Sequence, residues 1–244
     1  MLRRSIPLAR CAILSRPTHR VLLPWLARTD TRQIHQSCPR YQTQAPPARK
    51  CQSCGHPLPT PLPACTNCWN LFALPKDITH HELLGIPYGP NPFVVDLPLL
   101  KKQFRQAQTI CHPDSWASKN PGKGDVAHAL SARVNHAYQT LLDPLQRVEY
   151  ILERYHDPVS ETDQVQDPSF MMEIMEAREL IDDAESKGPV EHLLEENEDH
   201  IADTLHEIEE LVGAQDWPPV KAAAIRLRYL QGIRKAAKRW LDNH

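Results

Sequence analysis

The chain has 244 residues, 41% of them hydrophobic and 24% charged, and a formal net charge of −2; that length buries one ordinary core or two small ones and excludes two large domains. Aromatic residues make up only 6% and glycines number 8, and long alternating β-branched runs are absent, which excludes a large sheet and points to an all-α class. No apolar run approaches the roughly 18 residues that a spanning helix needs: the longest, Val21 to Ala27, is broken by Pro24, so no membrane partner is expected.

Residues 1–49 hold nine arginines, no lysine, no glutamate and one acid, Asp30. An Arg-rich, acid-poor stretch with interspersed Leu, Ile, Ala, Ser and Thr has the composition of a mitochondrial presequence. Residues 1–41 are therefore expected to be a transit segment removed near Arg40 and Tyr41, with the mature protein in the mitochondrial matrix. A basic tail that binds nucleic acid or lipid has the same composition.

Residues 42–75 carry two CxxC pairs, Cys51-Gln-Ser-Cys54 and Cys65-Thr-Asn-Cys68, joined by a proline-rich loop. Each pair can turn two thiolates onto one ion, and a short loop can bring the second pair round to complete a tetrahedron of sulfur ligands. Cys51, Cys54, Cys65 and Cys68 are thus expected to hold structural Zn2+, with iron as the other metal for an all-thiolate shell and no organic cofactor. His56 is near enough to substitute as a ligand. Two disulfides or a thiol-exchange pair are the competing readings; a reducing matrix opposes the first, and the missing βαβ context of a thioredoxin-like protein opposes the second. Only Arg49, Lys50 and Lys76 add local positive charge, too little for a nucleic-acid partner.

Residues 76–152 read as a helical hairpin. Ile78 to Gly85 is one short helix stopped by Gly85. From Leu97 the apolar positions Leu97, Leu100, Phe104, Ala107 and Cys111 recur at three and four, one face of a helix whose other face carries Lys101, Lys102 and Arg105. That helix ends at His112, because Pro113 disfavours helical geometry in the residue before it. A second periodic run, Leu130, Val134, Ala137, Tyr138 and Leu141, faces it. His112, Pro113 and Asp114 then form a rigid tip that offers a donor and an acceptor beside a basic face. A His/Asp dyad would need a nucleophile, and only Cys111 is adjacent.

After a linker, 153–166, residues 167–244 predict three helices. Asp167-Pro168 opens the first, with a core stripe Phe170, Ile174, Ala177, Ile181 and Ala184. Met172, Met175, Glu176 and Glu179 lie on a second stripe, where methionine suits either a deep bundle position or an adaptable partner surface. Val190, Leu194, Asn197, Ile201, Leu205, Ile208 and Val212 give the next helix. Pro218-Pro219 start the last, with Asp216 as its expected cap. Short connections make this an antiparallel three-helix bundle. Residues 161–216 hold nineteen acids against Arg178 and Lys187, and 217–244 hold seven basic residues against Asp242, so the acidic helices are expected to pack on the basic one.

A short helix, a basic helix, His-Pro-Asp at its end and a facing helix resemble the J domain. Phe104-Arg-Gln-Ala-Gln-Thr-Ile-Cys-His-Pro-Asp-Ser-Trp-Ala, the stretch Val134 to Glu153, and Phe170-Met-Met-Glu-Ile-Met-Glu-Ala-Arg-Glu resemble one branch of it, the HscB co-chaperones, over nearly the whole chain from Ile78. Other J domains usually carry a large aliphatic residue at Ala107 and a tyrosine at Cys111, and HscB relatives favour leucine at Met171 and Met175; all four positions stay apolar. The resemblance implies a DnaK-type mitochondrial heat-shock chaperone as partner, met by His112, Pro113, Asp114, Lys101, Lys102 and Arg105. It also implies an IscU-type iron-sulfur scaffold as client, met by Met171, Met172, Met175, Glu176, Glu179 and Tyr229. The partner, not this chain, would hydrolyse ATP. For Tyr229 a core aromatic is the plainer reading, and for the lysines a solvated face. Two rival functions remain, a general J protein with another client and a thiol redox protein built on the CxxC pairs.

Overall fold

The computed structural model describes residues 49–75, 77–117, 119–160 and 162–244, so the expected presequence 1–41 and its processing point lie outside the described residues. Two-residue strands β1 (Ala64–Cys65) and β2 (Asn70–Leu71) pair antiparallel. Among the described residues eight α-helices follow, α1 His80–Leu84, α2 Leu97–Cys111, α3 Pro113–Ala117, α4 Gly124–Leu142, α5 Pro144–Arg154, α6 Pro168–Asp182, α7 Lys187–Ala214 and α8 Trp217–Asn243. A single 3-10 turn, Pro121–Lys123, precedes α4. The described residues are mostly helical, with a four-cysteine segment at their start.

Side-chain oxygens cap four of the eight α-helices among the described residues. Thr79 accepts from Glu82 N, Asp96 from Leu99 N, Asp143 from Leu145 N and Gln146 N, and Asp167 from Ser169 N, three of the four helices having proline in the first turn; each cap satisfies a donor that the helix cannot. Gly85 closes α1 at φ +66°, a left-handed conformation that glycine adopts without strain. Asp216 departs from expectation: its side chain makes no capping bond. Gln215 takes the left-handed position at φ +60° and Asp216 N–H bonds back to Leu211 O, so the backbone turn closing α7 also sets the entry to α8.

Two apolar clusters divide the described residues in a way the sequence stripes did not show. The first joins Leu100, Ala107, Ile110 and Cys111 of α2 to Leu130, Val134, Ala137 and Leu141 of α4, with Leu83, Leu84, Trp116 and, from the cysteine segment, Leu62, Ala64 and Leu71. Leu97 is 44% exposed: it opens α2 beside Pro98, before the helix has met α4, and Ile110 takes its place in the stripe. The second cluster joins the expected stripes of α6, α7 and α8, but it also takes Val148, Ile151 and Leu152 of α5 and Phe93 from the α1–α2 loop.

Helix α5 therefore adds its buried residues to the bundle's core, and the described residues of the linker after it are tied to α5 and α8. Tyr155 stacks on Trp217 with centroids 3.8 Å apart. Lys221 pairs with Asp157 at 2.9 Å and Asp163 at 3.3 Å, and Arg228 donates to Ser160 O at 3.1 Å and to Glu149 at 2.8 Å. Between α7 and α8, Glu207 meets Arg226 at 2.6 Å, and Glu198 meets Arg234 at 3.3 Å and Lys238 at 3.1 Å. These are the edge contacts that the charge asymmetry predicts, though exposed pairs contribute only about 0–1 kcal/mol each. Buried Asn197 donates to Leu230 O at 3.1 Å, which explains a polar residue inside an apolar stripe.

Arg147 is buried without a carboxylate in contact. It donates to Leu141 O at 2.8 Å, Phe93 O at 2.9 Å and Leu142 O at 3.4 Å and lies over the Phe93 ring; burial pulls its pKa down to about 10. Replacing it by Arg147→Met keeps most of the stem and strands three carbonyls, so the expected loss is about 2–4 kcal/mol in urea unfolding, against under about 0.5 kcal/mol at an ordinary surface position.

His81 is fully buried, its Nε2–H donating to Pro92 O at 3.0 Å while Nδ1 has no partner among the described residues. His80 stacks on Tyr150 at 4.2 Å. Burial, the largest cause in each case, pushes both imidazoles down to about 4 from 6.5. Above pH 6.5 neither the folded nor the unfolded chain binds these protons. Below it the unfolded chain takes them first, so stability falls from pH 6.5 towards 4 and then levels. The urea midpoint should already drop between pH 6.5 and 5, before ordinary carboxylates titrate; a flat limb there would refute neutral burial.

Candidate functional site

The His112-Pro113-Asp114 turn is a corner between two helices. His112 ends α2 with φ −59° and ψ 127°, Pro113 opens α3, and Ser115 N–H bonds to His112 O at 3.0 Å. The sequence predicted two helices flanking this turn, the second starting after a loop at Asn120 to Gly124; α3 also intervenes, because proline is as well placed to start a helix as to end one. His112 Nδ1 accepts the Asp114 backbone N–H at 3.3 Å and lies 3.7 Å from Asp114 Oδ2. An Nδ1 occupied as acceptor leaves the proton on Nε2, so the turn offers one imidazole donor and one free carboxylate to solvent. Both side chains are exposed and Pro113 is half-buried. Lys101, Lys102 and Arg105 are exposed on α2, and none of the three forms an ion pair among the described residues. Cys111 is buried, and burial pushes its thiol up to about 11; it cannot serve as the nucleophile of a dyad.

The second face lies on α6. Met172 and Met175 are 62% and 65% exposed, and Glu176 and Glu179 are exposed beside them, while Met171 is half-buried. Two thioethers in water on a helix whose opposite stripe, Phe170, Ile174 and Ile181, is buried make an adaptable apolar patch. Tyr229 of α8 is half-buried and meets Phe170 of the buried stripe edge-on at 6.3 Å, which is a core contact.

The third site is the cysteine clip. Cys51 Sγ lies 3.6 Å from Cys68 Sγ, and Cys54 Sγ 3.7 Å from Cys65 Sγ, each contact crossing between the two motifs; all four sulfurs fall within 4.8 Å of one another. Tetrahedral thiolate zinc with bonds of about 2.3 Å needs sulfurs about 3.8 Å apart, whereas a disulfide needs about 2.05 Å. The donor set therefore fits a metal, and His56 is not part of it. The His56 backbone, first, and Asn67, second, draw the Cys54 thiol down to about 6, while burial and then the neighbouring thiols push Cys68 up to about 12. A divalent cation removes the conflict among crowded sulfurs by binding all four as thiolates.

The clip is seated on the hairpin. Arg49 pairs with Glu82 and donates to Pro61 O at 3.4 Å, Pro61 packs within 3.2 Å of where a side chain on Gly85 would stand, and Asn120 donates to Trp69 O at 2.9 Å. Trp69 and Trp116, Arg147 and His81 all escaped the sequence reading. Trp116 follows the His-Pro-Asp turn by two residues, which was the one local signal available.

The HSCB C-terminal oligomerisation domain family matches residues 166–238, which span α6 to most of α8. A co-chaperone protein HscB homolog of Aliivibrio fischeri is 32% identical over 161 residues, 64% of this chain and 92% of that one. The crystal structure of human co-chaperone protein HscB matches with a TM-score of 0.68 at 27% identity, over 80% of this chain and 98% of the human one. Chaperone HscB from Vibrio cholerae matches with a TM-score of 0.60 at 28% identity, over 68% and 99%. Family, sequence and fold agree, and the chain belongs to the HscB family of co-chaperones.

Proposed function

We propose that this co-chaperone binds an IscU-type iron-sulfur scaffold on the Met172/Met175 face, presents it to a mitochondrial DnaK-type heat-shock chaperone and stimulates that chaperone's ATPase through the His112-Pro113-Asp114 turn. The observation that carries this reading is that both faces are exposed while the hairpin and the bundle that bear them are joined through buried Arg147, which donates to Leu141 O on one side and Phe93 O on the other. A client held on α6 is then held at a fixed orientation to the turn, which raises its effective concentration at the chaperone. Lys101, Lys102 and Arg105 steer an acidic docking surface toward the turn. Hydrolysis on the partner traps the scaffold and promotes cluster transfer, and this chain makes and breaks no bond. The Arg-rich, acid-poor composition of residues 1–49 supports a mitochondrial matrix location.

The test is ATP hydrolysis by the chaperone with this protein, the scaffold, or both. Joint stimulation should exceed that of either alone, and His112→Gln should abolish it; Met172→Ala with Met175→Ala should raise the scaffold concentration required by roughly tenfold. Stimulation that the scaffold never enhances would leave a general J protein with another client. No stimulation under any condition would overturn the proposal.

Cys51, Cys54, Cys65 and Cys68 would hold zinc, whose chemistry here is that of a closed structural cross-link. Metal analysis should find about one zinc per chain, and stripping it should lower the melting temperature by several degrees, because Leu62, Ala64 and Leu71 lose their seat in the hairpin core. A metal-free chain of unchanged melting temperature would favour thiol redox chemistry.

A further inference from the structure

The two cysteine knuckles differ at one informative position. In each, the residue after the second cysteine has positive φ, Gly55 at +72° and Trp69 at +52°. Glycine is the residue that adopts this conformation freely, whereas a side chain there costs roughly 1–2 kcal/mol. A Cβ on Gly55 would meet nothing within 4 Å, so glycine there answers the backbone and not crowding. A bulky aromatic in the same conformation therefore calls for a reason in what its ring touches.

Its ring meets Trp116 edge-on, centroids 5.3 Å apart at 74°, and Lys119 Nζ lies 5.8 Å over its face. Trp116 is completely buried, and its indole N–H donates to Ile110 O at 2.8 Å. That hydrogen bond spans the His112-Pro113-Asp114 turn from inside: Ile110 lies in the last turn of α2 and Trp116 in α3. Asn120 closes the loop, with its N–H on Trp116 O at 2.8 Å and its side chain on Trp69 O at 2.9 Å. Within the turn, His112 and Asp114 are exposed and bond chiefly to each other, so its packing against the fold comes from Trp116. A chain of contacts thus runs from Cys68 through Trp69 and Trp116 to the two helix ends whose angle shapes the tip.

We propose that Trp69 is a positioning residue for the His112-Pro113-Asp114 turn, held by the cysteine clip against Trp116 so that α2 and α3 meet at the angle the chaperone recognises. This rests on the turn being the chaperone contact. The clip is on this account more than a stabilising cross-link: with it closed, the turn is presented in one shape, and with Trp69 released, Trp116 keeps its hydrogen bond but loses its lateral wall and the turn samples several.

The full-length metal-loaded chain should be compared as wild type, Trp69→Gly, Trp69→Phe and Asn120→Ala. Trp69→Gly removes the ring and installs the residue that the first knuckle already uses, so bound metal should stay at the wild-type level. Amide hydrogen exchange at residues 112–117 should accelerate, and the concentration for half-maximal chaperone stimulation should rise roughly three- to tenfold, the range of one lost aromatic pair. Scaffold binding should not change, and Trp69→Phe should restore most of both effects. Asn120→Ala, which loses only the bond to Trp69 O, should move both readouts in the same direction by less and covers the case in which Trp69→Gly fails to fold. Unchanged exchange at 112–117 overturns the proposal, as does an unchanged half-maximal concentration. Acceleration spread evenly over α4 and α8 also overturns it, since that is general destabilisation. If the wild type does not stimulate the chaperone at all, the co-chaperone mechanism fails on its own account, and the exchange comparison still decides whether Trp69 braces the turn.

Discussion

Arg147 occupies a place where three parts of the chain arrive with unpaired carbonyls. Leu141 and Leu142 end α4, where the last carbonyls of a helix have no intrahelical donor and carry its partial negative charge; Phe93 arrives from the α1–α2 loop with its ring in the bundle core. One planar guanidinium, extended from the first turn of α5, donates to all three. A lysine has no fork with which to do so. Because the acceptors are dipoles and not a carboxylate, the cation is stabilised without forming a neutral pair, and its depressed pKa of about 10 still leaves it charged at any physiological pH.

That geometry has a mechanical consequence. Phe93 reaches one core by its ring and Arg147 by its carbonyl, and Asn91, two residues earlier, donates to Glu209 O on α7 at 2.7 Å. Val148, Ile151 and Leu152 follow Arg147 along α5 into the bundle. The hairpin and the bundle are thereby joined at α5, at the α1–α2 loop and along the linker tied by Lys221 and Arg228. An adaptor whose two halves moved independently would gain effective concentration only as a flexible tether does, falling with the volume explored. On the proposed function, these joins favour one orientation between the turn and the methionine face, which would add specificity for a particular client geometry to proximity.

The parts legible in the sequence are those whose signal is local. The CxxC spacing, the proline after His112, the three-four periodicity of α2, α4, α6, α7 and α8, and the Asp-Pro starts each occupy a few consecutive residues. Methionines off the core stripe of α6 were visible too, although periodicity alone could not tell a buried second face from an open one, and the structure leaves Met172 and Met175 in water. The hidden parts depend on partners far away in sequence. Arg147 reaches Phe93 across 54 residues and Asn120 reaches Trp69 across 51, and no window of a helix's length contains both ends. Leu97 failed for the opposite reason: a correct period was extended one turn too far toward the helix start, where no neighbouring helix waits. The sequence also did not show that α5 adds Val148, Ile151 and Leu152 to the bundle's core, or that Asp157 and Asp163 after it pair with Lys221.

The cysteine segment likewise depends on both local and distant contacts. A stretch this short encloses almost no core of its own, and such segments need a metal or a neighbour to stay ordered. This one uses both, folding its knuckles on four sulfurs and placing Leu62, Ala64 and Leu71 in the hairpin's core. Seating alone needs aliphatic surface, which those residues supply, and Arg49 with Glu82 fixes the orientation at the far edge. Trp69 adds its ring to that seat, although its left-handed backbone at φ +52° works against the fold locally. That ring stands against Trp116, where α2 ends and α3 begins, so the segment touches the hairpin beside the His112-Pro113-Asp114 turn.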